Sequence, residues 1–297
     1  MKLPPFGYHR AESLGEAVAV LAEHGPDARV LGGGQSLLPV MALRMSNPAV
    51  LIDITTAKDL QGHAFRDADG LVVSAAVTTR AVETDAETRR RHPLVAECLA
   101  QVGHPEIRNR GTVCGSLAHA DPAAELPALL LALGGSVRVA GAERRRRIAA
   151  ADFFAGPYLT ALEEGEVVAG AELPLLARTA GWSIREITRR SGDFALVGVI
   201  SILDADADGR CTDARLALFG IAGTPRRATA AENVLKGQLL DDAVLAEAAE
   251  HAFDDIDVLG DLHGSVTYRR RAGTRLVVRS LAEARARCQS EVESARA

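Results

Sequence analysis

Three consecutive glycines, Gly32-Gly33-Gly34, follow a short β-like stretch, Arg29-Val30-Leu31, and lead through Gln35 and Ser36 into an apolar segment beginning at Leu37. Such a run belongs in neither a strand nor a helix interior. Glycine weakens both, and it is kept where the chain turns tightly or where another group must approach the backbone. The accessible N–H groups of the run suit a diphosphate, and a helix starting at Leu37 adds the favourable field of its N-terminus. Ser36 is placed to cap that helix or to give its hydroxyl to a phosphate oxygen. An ordinary glycine turn between strand and helix is the other reading of the same residues.

The surrounding pattern supports a strand–loop–helix unit. Ser13 and Glu16 have the spacing of a capping box. Leu14, Ala17, Val18 and Leu21 then fall on one helical face, and Gly25 supplies a stop. Residues 37–45 read as a helix that tolerates Pro39 in its first turn, and residues 50–54 as a second strand. Asp53 lies about where a dinucleotide fold places its ribose-binding acid. That fold also needs a third glycine where Leu37 stands, and β–α alternation does not continue downstream. The Rossmann reading is therefore the poorer one, and Asp53 is expected to end a strand.

Further along, residues 71–77 read as a strand, 79–90 and 94–102 as helices, and 103–124 as a long loop. Pro127 belongs near a helix start, which puts Glu125 in the first turn ahead of Leu129-Leu130-Leu131. Residues 136–140 and 146–149 suggest a hairpin, and 167–173 one more strand. The pattern changes after about residue 178. Three consecutive strands, 182–189, 196–203 and 214–221, precede helices at 241–253 and 268–287. Strands followed by helices without alternation indicate an α+β fold. The expected domains are residues 1–177 and 178–290.

Composition removes several classes of function. A net charge of −5 argues against nucleic acid, whose binding draws on clustered positive charge. Two arginine runs, 144–147 and 269–271, read as a solvated hairpin and as a solvated or paired helix face. The four cysteines, Cys98, Cys114, Cys211 and Cys288, show no metal-ligand spacing and no disulfide framework, so no metal site is expected and a reducing cytoplasm fits. The first residues lack the apolar core of a signal peptide, and no apolar run approaches the length of a membrane span. His9, His104 and His119 are too dispersed for a catalytic set, and no catalytic residue is assigned.

A second loop carries unusual chemistry. His104-Pro105-Glu106-Ile107-Arg108-Asn109-Arg110-Gly111-Thr112-Val113-Cys114-Gly115-Ser116 combines two glycines, two hydroxyls and two arginines. Arg108 and Arg110 read equally as partners of diphosphate charge and as partners of nearby carboxylates that fix the loop. Two glycine-rich loops far apart in sequence could grip one extended dinucleotide from two sides.

At these loops the chain resembles the FAD-binding medium subunits of molybdenum hydroxylases, of the aerobic carbon monoxide dehydrogenase type; xanthine dehydrogenases carry a related flavin domain. Residues Leu31-Gly32-Gly33-Gly34-Gln35-Ser36-Leu37-Leu38-Pro39 resemble one flavin loop of that family, and Arg108 to Ser116 the other. The resemblance continues through Ala118-His119-Ala120-Asp121-Pro122-Ala123-Ala124-Glu125-Leu126-Pro127, Thr188-Arg189-Arg190-Ser191-Gly192-Asp193 and Gly223-Thr224-Pro225-Arg226-Arg227, and so spans nearly the whole chain.

The resemblance implies a two-lobed FAD-binding domain of the vanillyl-alcohol-oxidase (PCMH) type. A small α+β domain with a three-stranded antiparallel sheet and helices would follow. It implies FAD as cofactor, with Leu31, Gly32, Gly33, Gly34, Gln35, Ser36 and Leu37 on one side of the diphosphate and Thr112, Val113, Cys114, Gly115 and Ser116 on the other. Glu125 takes the family's acidic position for FAD polar groups, and Val168 and Arg185 align with positions near the ends of the cofactor. The implied assembly is a heterotrimer, often doubled, with a large molybdenum-cofactor subunit and a small subunit holding [2Fe–2S] clusters. Cys114 stands where the family commonly has glycine. Its side chain either points into the protein or narrows the approach to flavin; covalent attachment of flavin is a further possibility. Two other functions remain to be distinguished, a stand-alone flavin oxidase and an assembly partner that has lost its cofactor.

Overall fold

The computed structural model describes residues 2–67 and 70–296; Met1, part of the start that was read as lacking a signal peptide, lies outside them. In chain order the elements begin with β1 (Gly7–Arg10), α1 (Leu14–His24), β2 (Ala28–Leu31), α2 (Leu37–Ala42), β3 (Val50–Asp53), β4 (His63–Arg66) and β5 (Gly70–Ser74). Next come α3 (Thr79–Thr84), α4 (Ala86–Arg91), α5 (Pro93–Gln101), α6 (Pro105–Arg108), α7 (Val113–His119) and α8 (Glu125–Leu133). They are followed by β6 (Ser136–Ala140), β7 (Arg145–Ala149), α9 (Ala150–Phe153), β8 (Phe154–Gly156), β9 (Leu159–Thr160) and β10 (Val167–Leu173). The rest is β11 (Gly181–Thr188), β12 (Ala195–Ala205), β13 (Cys211–Phe219), β14 (Arg226–Arg227), α10 (Thr229–Leu235), α11 (Asp242–Glu250) and α12 (Val266–Arg296).

These elements form two compact units whose segments alternate along the sequence. The first takes the chain up to Arg91, then His104–Ala120 and Gly134–Pro174; the second takes His92–Gly103, Asp121–Leu133 and the chain from Leu175 onward.

The first unit holds two larger sheets. One is parallel, in the order β1-β3-β2, and the other is five-stranded, in the order β4-β5-β10-β6-β7. Helix α1 lies against β2 and β3 and buries the face read from its spacing, Leu14, Ala17, Val18 and Leu21. Ser13 caps it, accepting from the Glu16 amide at 3.2 Å, and Gly25 ends it at φ 53°. The capping box does not close on itself. The Glu16 carboxylate accepts from the Glu12 amide at 2.8 Å and lies 2.7 Å from His9 Nε2. Its partner is the end of β1, a four-residue strand too short and too exposed for the sequence reading to find.

The structure corrects three sequence expectations in this region. Helix α2 stops at Ala42 rather than Met45, because Arg44 adopts φ 62° and the Met45 amide bonds back to Val40 O, a left-handed termination. The single helix read over 79–90 is broken into α3 and α4 at Asp85, whose carboxylate takes the Thr88 amide at 2.7 Å. The segment read as loop, 103–124, contains α6 and α7.

The second unit is built on the antiparallel order β11-β12-β13-β14. The three long strands are those expected; the fourth is a two-residue addition in which Arg226 and Arg227 pair with Leu218 and Ala217. Helices α10, α11 and α12 cover this sheet through a core that includes Val197, Val199, Leu216, Leu218, Leu245, Phe253, Val277 and Leu281. The nonpolar α8 and the equally long α5 also belong here, against β12–β13 and β11 respectively. Polar pins cross the layers: Ser280 to Ser201 at 2.8 Å and Ser183 to Glu283 at 2.8 Å.

Ion pairs form in both arginine runs. Arg146 bonds Glu166 at 2.7 Å and Arg147 lies 2.9 Å from Glu172, while Arg144 meets Glu163. Arg269 is buried, ion-paired with Asp261 and donating to the carbonyls of Leu196 and Gly220.

Candidate functional site

The glycine loops meet within the first unit. A Cβ placed on Gly33 would lie 1.9 Å from the Arg110 carbonyl oxygen and 2.6 Å from Gly111 Cα. Only a residue without a side chain can sit there. A Cβ on Gly32 would be 3.1 Å from Thr112 Oγ1, and a Cβ on Gly111 would be 3.6 Å from Gln35 Cγ. Residues some 80 positions apart in sequence are therefore neighbours, as the two-sided grip requires. Gly34 adds the tight turn, at φ 74°, that aims the chain into α2.

The loops keep backbone donors available. Among the described residues, the amides of Gly33, Gly34, Gln35 and Ser36 donate to no protein group. Ser36 makes no side-chain capping bond to α2, which leaves its hydroxyl uncommitted to the cap. Across from them Thr112 caps α7, its Oγ1 accepting from the Gly115 amide at 2.9 Å. Four unengaged N–H groups beside a glycine-lined backbone are what an anionic diphosphate needs. The residues present fit a dinucleotide.

Cys114 sits inside α7, buried, with Sγ 3.7 Å from Val73 O; burial pushes its thiol up to about 12. It points into the protein and is held as an inert thiol. Val168 is buried in β10, opposite Val139, and β10 contacts α7. Arg108, whose role the sequence left open, is 7% exposed and bonded to Glu83 at 2.8 Å. Asp53 does end its strand, accepting from Thr55 and from Tyr8.

Two assigned residues fall in the second unit. Glu125 opens α8 at 4% exposure, and burial raises its carboxyl to about 7. Arg185 on β11 is half exposed and donates to Glu283 at 2.9 Å. Sequence reasoning missed Glu186, next to Arg185. Burial, then the charge of Glu125, raise it to about 8, and its Oε2 is buried without a hydrogen-bond partner. No sequence signal marks it, because β11 alternates only loosely between buried and exposed positions. Among the described residues no group of His, Cys, Asp and Glu could hold a metal, and no helix is long and apolar enough to cross a membrane. Cys98, Cys114, Cys211 and Cys288 are all free and buried.

Residues 4–176 match the family described as the FAD binding domain in molybdopterin dehydrogenase, and residues 182–284 match the CO dehydrogenase flavoprotein C-terminal domain. The chain belongs to this flavoprotein family. Its cofactor is FAD, and it is an oxidoreductase component. Its relatives include the 6-hydroxypseudooxynicotine dehydrogenase complex subunit alpha of Paenarthrobacter nicotinovorans, 37% identical over 99% of both chains. The carbon monoxide dehydrogenase medium chain of Hydrogenophaga pseudoflava is 36% identical, over 96% of this chain and 99% of that one. Among solved structures, quinoline 2-oxidoreductase from Pseudomonas putida 86 superposes with a TM-score of 0.92 at 38% identity, covering 98% of this chain and 100% of that one. The flavoprotein family thus accounts for the whole length over which the two loops and the C-terminal strands were read.

Proposed function

We propose that this chain is the FAD-bearing medium subunit of a molybdenum hydroxylase, working beside a large molybdenum-cofactor subunit and a small [2Fe–2S] subunit in a heterotrimer. The observation that carries the reading is the seating of Gly33 on the Arg110 carbonyl, which makes one cradle of two loops. Full-length likeness to a dehydrogenase complex subunit and to a medium chain supports it. The relatives are named for different substrates, carbon monoxide and a nicotine derivative among them, as expected if the substrate pocket belongs to another chain.

In this reading Gly33, Gly34, Gln35 and Ser36 donate backbone N–H groups to the FAD diphosphate from one side. Leu31, Gly32 and Leu37 frame them. Thr112, Val113, Cys114, Gly115 and Ser116 face the diphosphate from the other side. Glu125 holds polar groups of the cofactor, and Val168 and Arg185 serve toward its ends. Bound here, FAD would supply the redox chemistry that links the partner's clusters to an external acceptor. The protein contributes position and electrostatics, so no acid–base residue is assigned. The sequence division near residue 177 is proposed as the boundary between the FAD domain and the C-terminal domain. Four free cysteines support a location in a reducing cytoplasm.

The test is expression with its neighbouring genes and purification through this chain. Two partner chains should co-purify with molybdenum and iron, and the isolated chain should be yellow. A folded chain that takes up no FAD, or one that turns over a substrate by itself, would overturn the reading.

A further inference from the structure

We infer that Glu83 is a positioning residue for FAD, acting through Arg108 on the second glycine loop; this rests on the reading that the loop helps hold the diphosphate. Glu83 lies on α3 and is 6% exposed. Its carboxylate accepts from Arg108 Nε at 2.8 Å and from Arg80 Nη1 at 2.9 Å. Arg108 ends α6 and is itself 7% exposed. A guanidinium buried to this extent and committed to a carboxylate is not the diphosphate's counter-charge. It ties α6 to α3.

What α6 carries explains why this tie matters. The amides of Arg110 and Gly111 both bond back to Ile107 O, so the place of α6 sets the place of the Arg110 carbonyl. That carbonyl is the atom on which Gly33 rests, with no room for even a methyl group between them. Two backbone bonds hold the far side of the loop, Thr79 N to Gly111 O at 2.8 Å and Val113 N to Val77 O at 3.3 Å. They run from the segment that leads directly into α3. The residues 77–83 thus act as a rail. Two backbone bonds fix the loop at Gly111 and Val113, and one ion pair fixes it at Arg108. Removing the Glu83 charge leaves a buried guanidinium without this counter-charge, which is worse than replacing both partners. The relief available is movement of α6, and with it a change in the spacing of the two loops.

The experiment uses the full chain, stripped of flavin and titrated with FAD, with visible circular dichroism of the bound flavin as the second readout. Glu172→Gln is the comparator, since Glu172 is equally buried in the same unit but pairs with Arg147 and Ser136, neither of which belongs to a glycine loop. Glu83→Gln should weaken FAD binding by about tenfold or more and alter the dichroism, because a small displacement of a binding loop is costly. Glu83→Asp should recover part of both. Glu172→Gln should lower the melting temperature and leave FAD binding unchanged. If Glu83→Gln does not fold, Glu83→Gln/Arg108→Met removes both charges and should still bind FAD weakly. Wild-type affinity and dichroism in either Glu83 variant would overturn the inference. So would losses of affinity that track melting temperature equally in the Glu83 and Glu172 variants. A wild-type chain that binds no FAD would instead overturn the function proposed above, and this inference with it.

Discussion

Gly33 illustrates how one atom can decide a site. Its backbone lies so close to the Arg110 carbonyl that Gly33→Ala forces the loops apart. The expected result is loss of FAD from the purified protein, read as lost flavin absorbance, with a stability penalty of about 1–3 kcal/mol from the overpacking. Glu125 and Glu186 make a second prediction at this scale. Burial raises both carboxyls, to about 7 and about 8, above the ordinary 4.5. In the unfolded chain they ionise near 4.5, so the folded state is favoured below that pH and loses stability as pH rises to 7–8. Urea unfolding of the flavin-free chain should show this decline, and Glu186→Gln should flatten it; an unchanged slope would remove Glu186 from the account. The glycines and hydroxyls of the loops were legible in the sequence, since they are local and sit in runs. Glu83 and Glu186 were not, because a lone acidic residue acquires its meaning only from partners distant in sequence, Arg108 in one case and Glu125 in the other.

Elements were readable wherever their own spacing determines them. Helix α1 shows cap, face and stop within a dozen residues, and the structure keeps each of them. Ser13→Ala should therefore cost about 1 kcal/mol in denaturant unfolding while FAD affinity stays at its wild-type value. Strands β1, β4 and β14 escaped notice because each is short, has no buried residue, and is held by its neighbours' hydrogen bonds rather than by an apolar pattern of its own. Helix α12 is a different case, since its polar sequence hides a buried anchor. Arg269 bonds the carbonyls of Leu196 and Gly220 and pairs with Asp261. Arg269→Ala leaves these buried acceptors unmatched, and its expected cost is about 3 kcal/mol, measured as a lower denaturant midpoint with an unchanged slope. The arginine run that reads from sequence as a solvated or paired surface is, at this position, internal scaffolding.

At the scale of the whole molecule, FAD should stabilise the chain by mass action, about 2.7 kcal/mol at a hundredfold excess over its dissociation constant, visible as a rise in melting temperature with added flavin. A melting temperature indifferent to FAD would contradict the cradle. The order of the two family matches along the chain was legible because each covers contiguous sequence. The alternation of compact units was not, because nothing local in His92–Gly103 or Asp121–Leu133 says that these segments pack with strands that come later. Helix α8, buried at every position, finds its cover on β12 and β13, and α5 finds its own on β11. A chain cut at the sequence boundary would thus leave the amino-terminal piece with two greasy helices and no surface to receive them. The carboxyl-terminal piece would lack part of its own interior. Ribosomal synthesis meets the same difficulty, because α5 and α8 emerge well before β11–β13 and must wait, exposed and prone to aggregate, until the later strands are made.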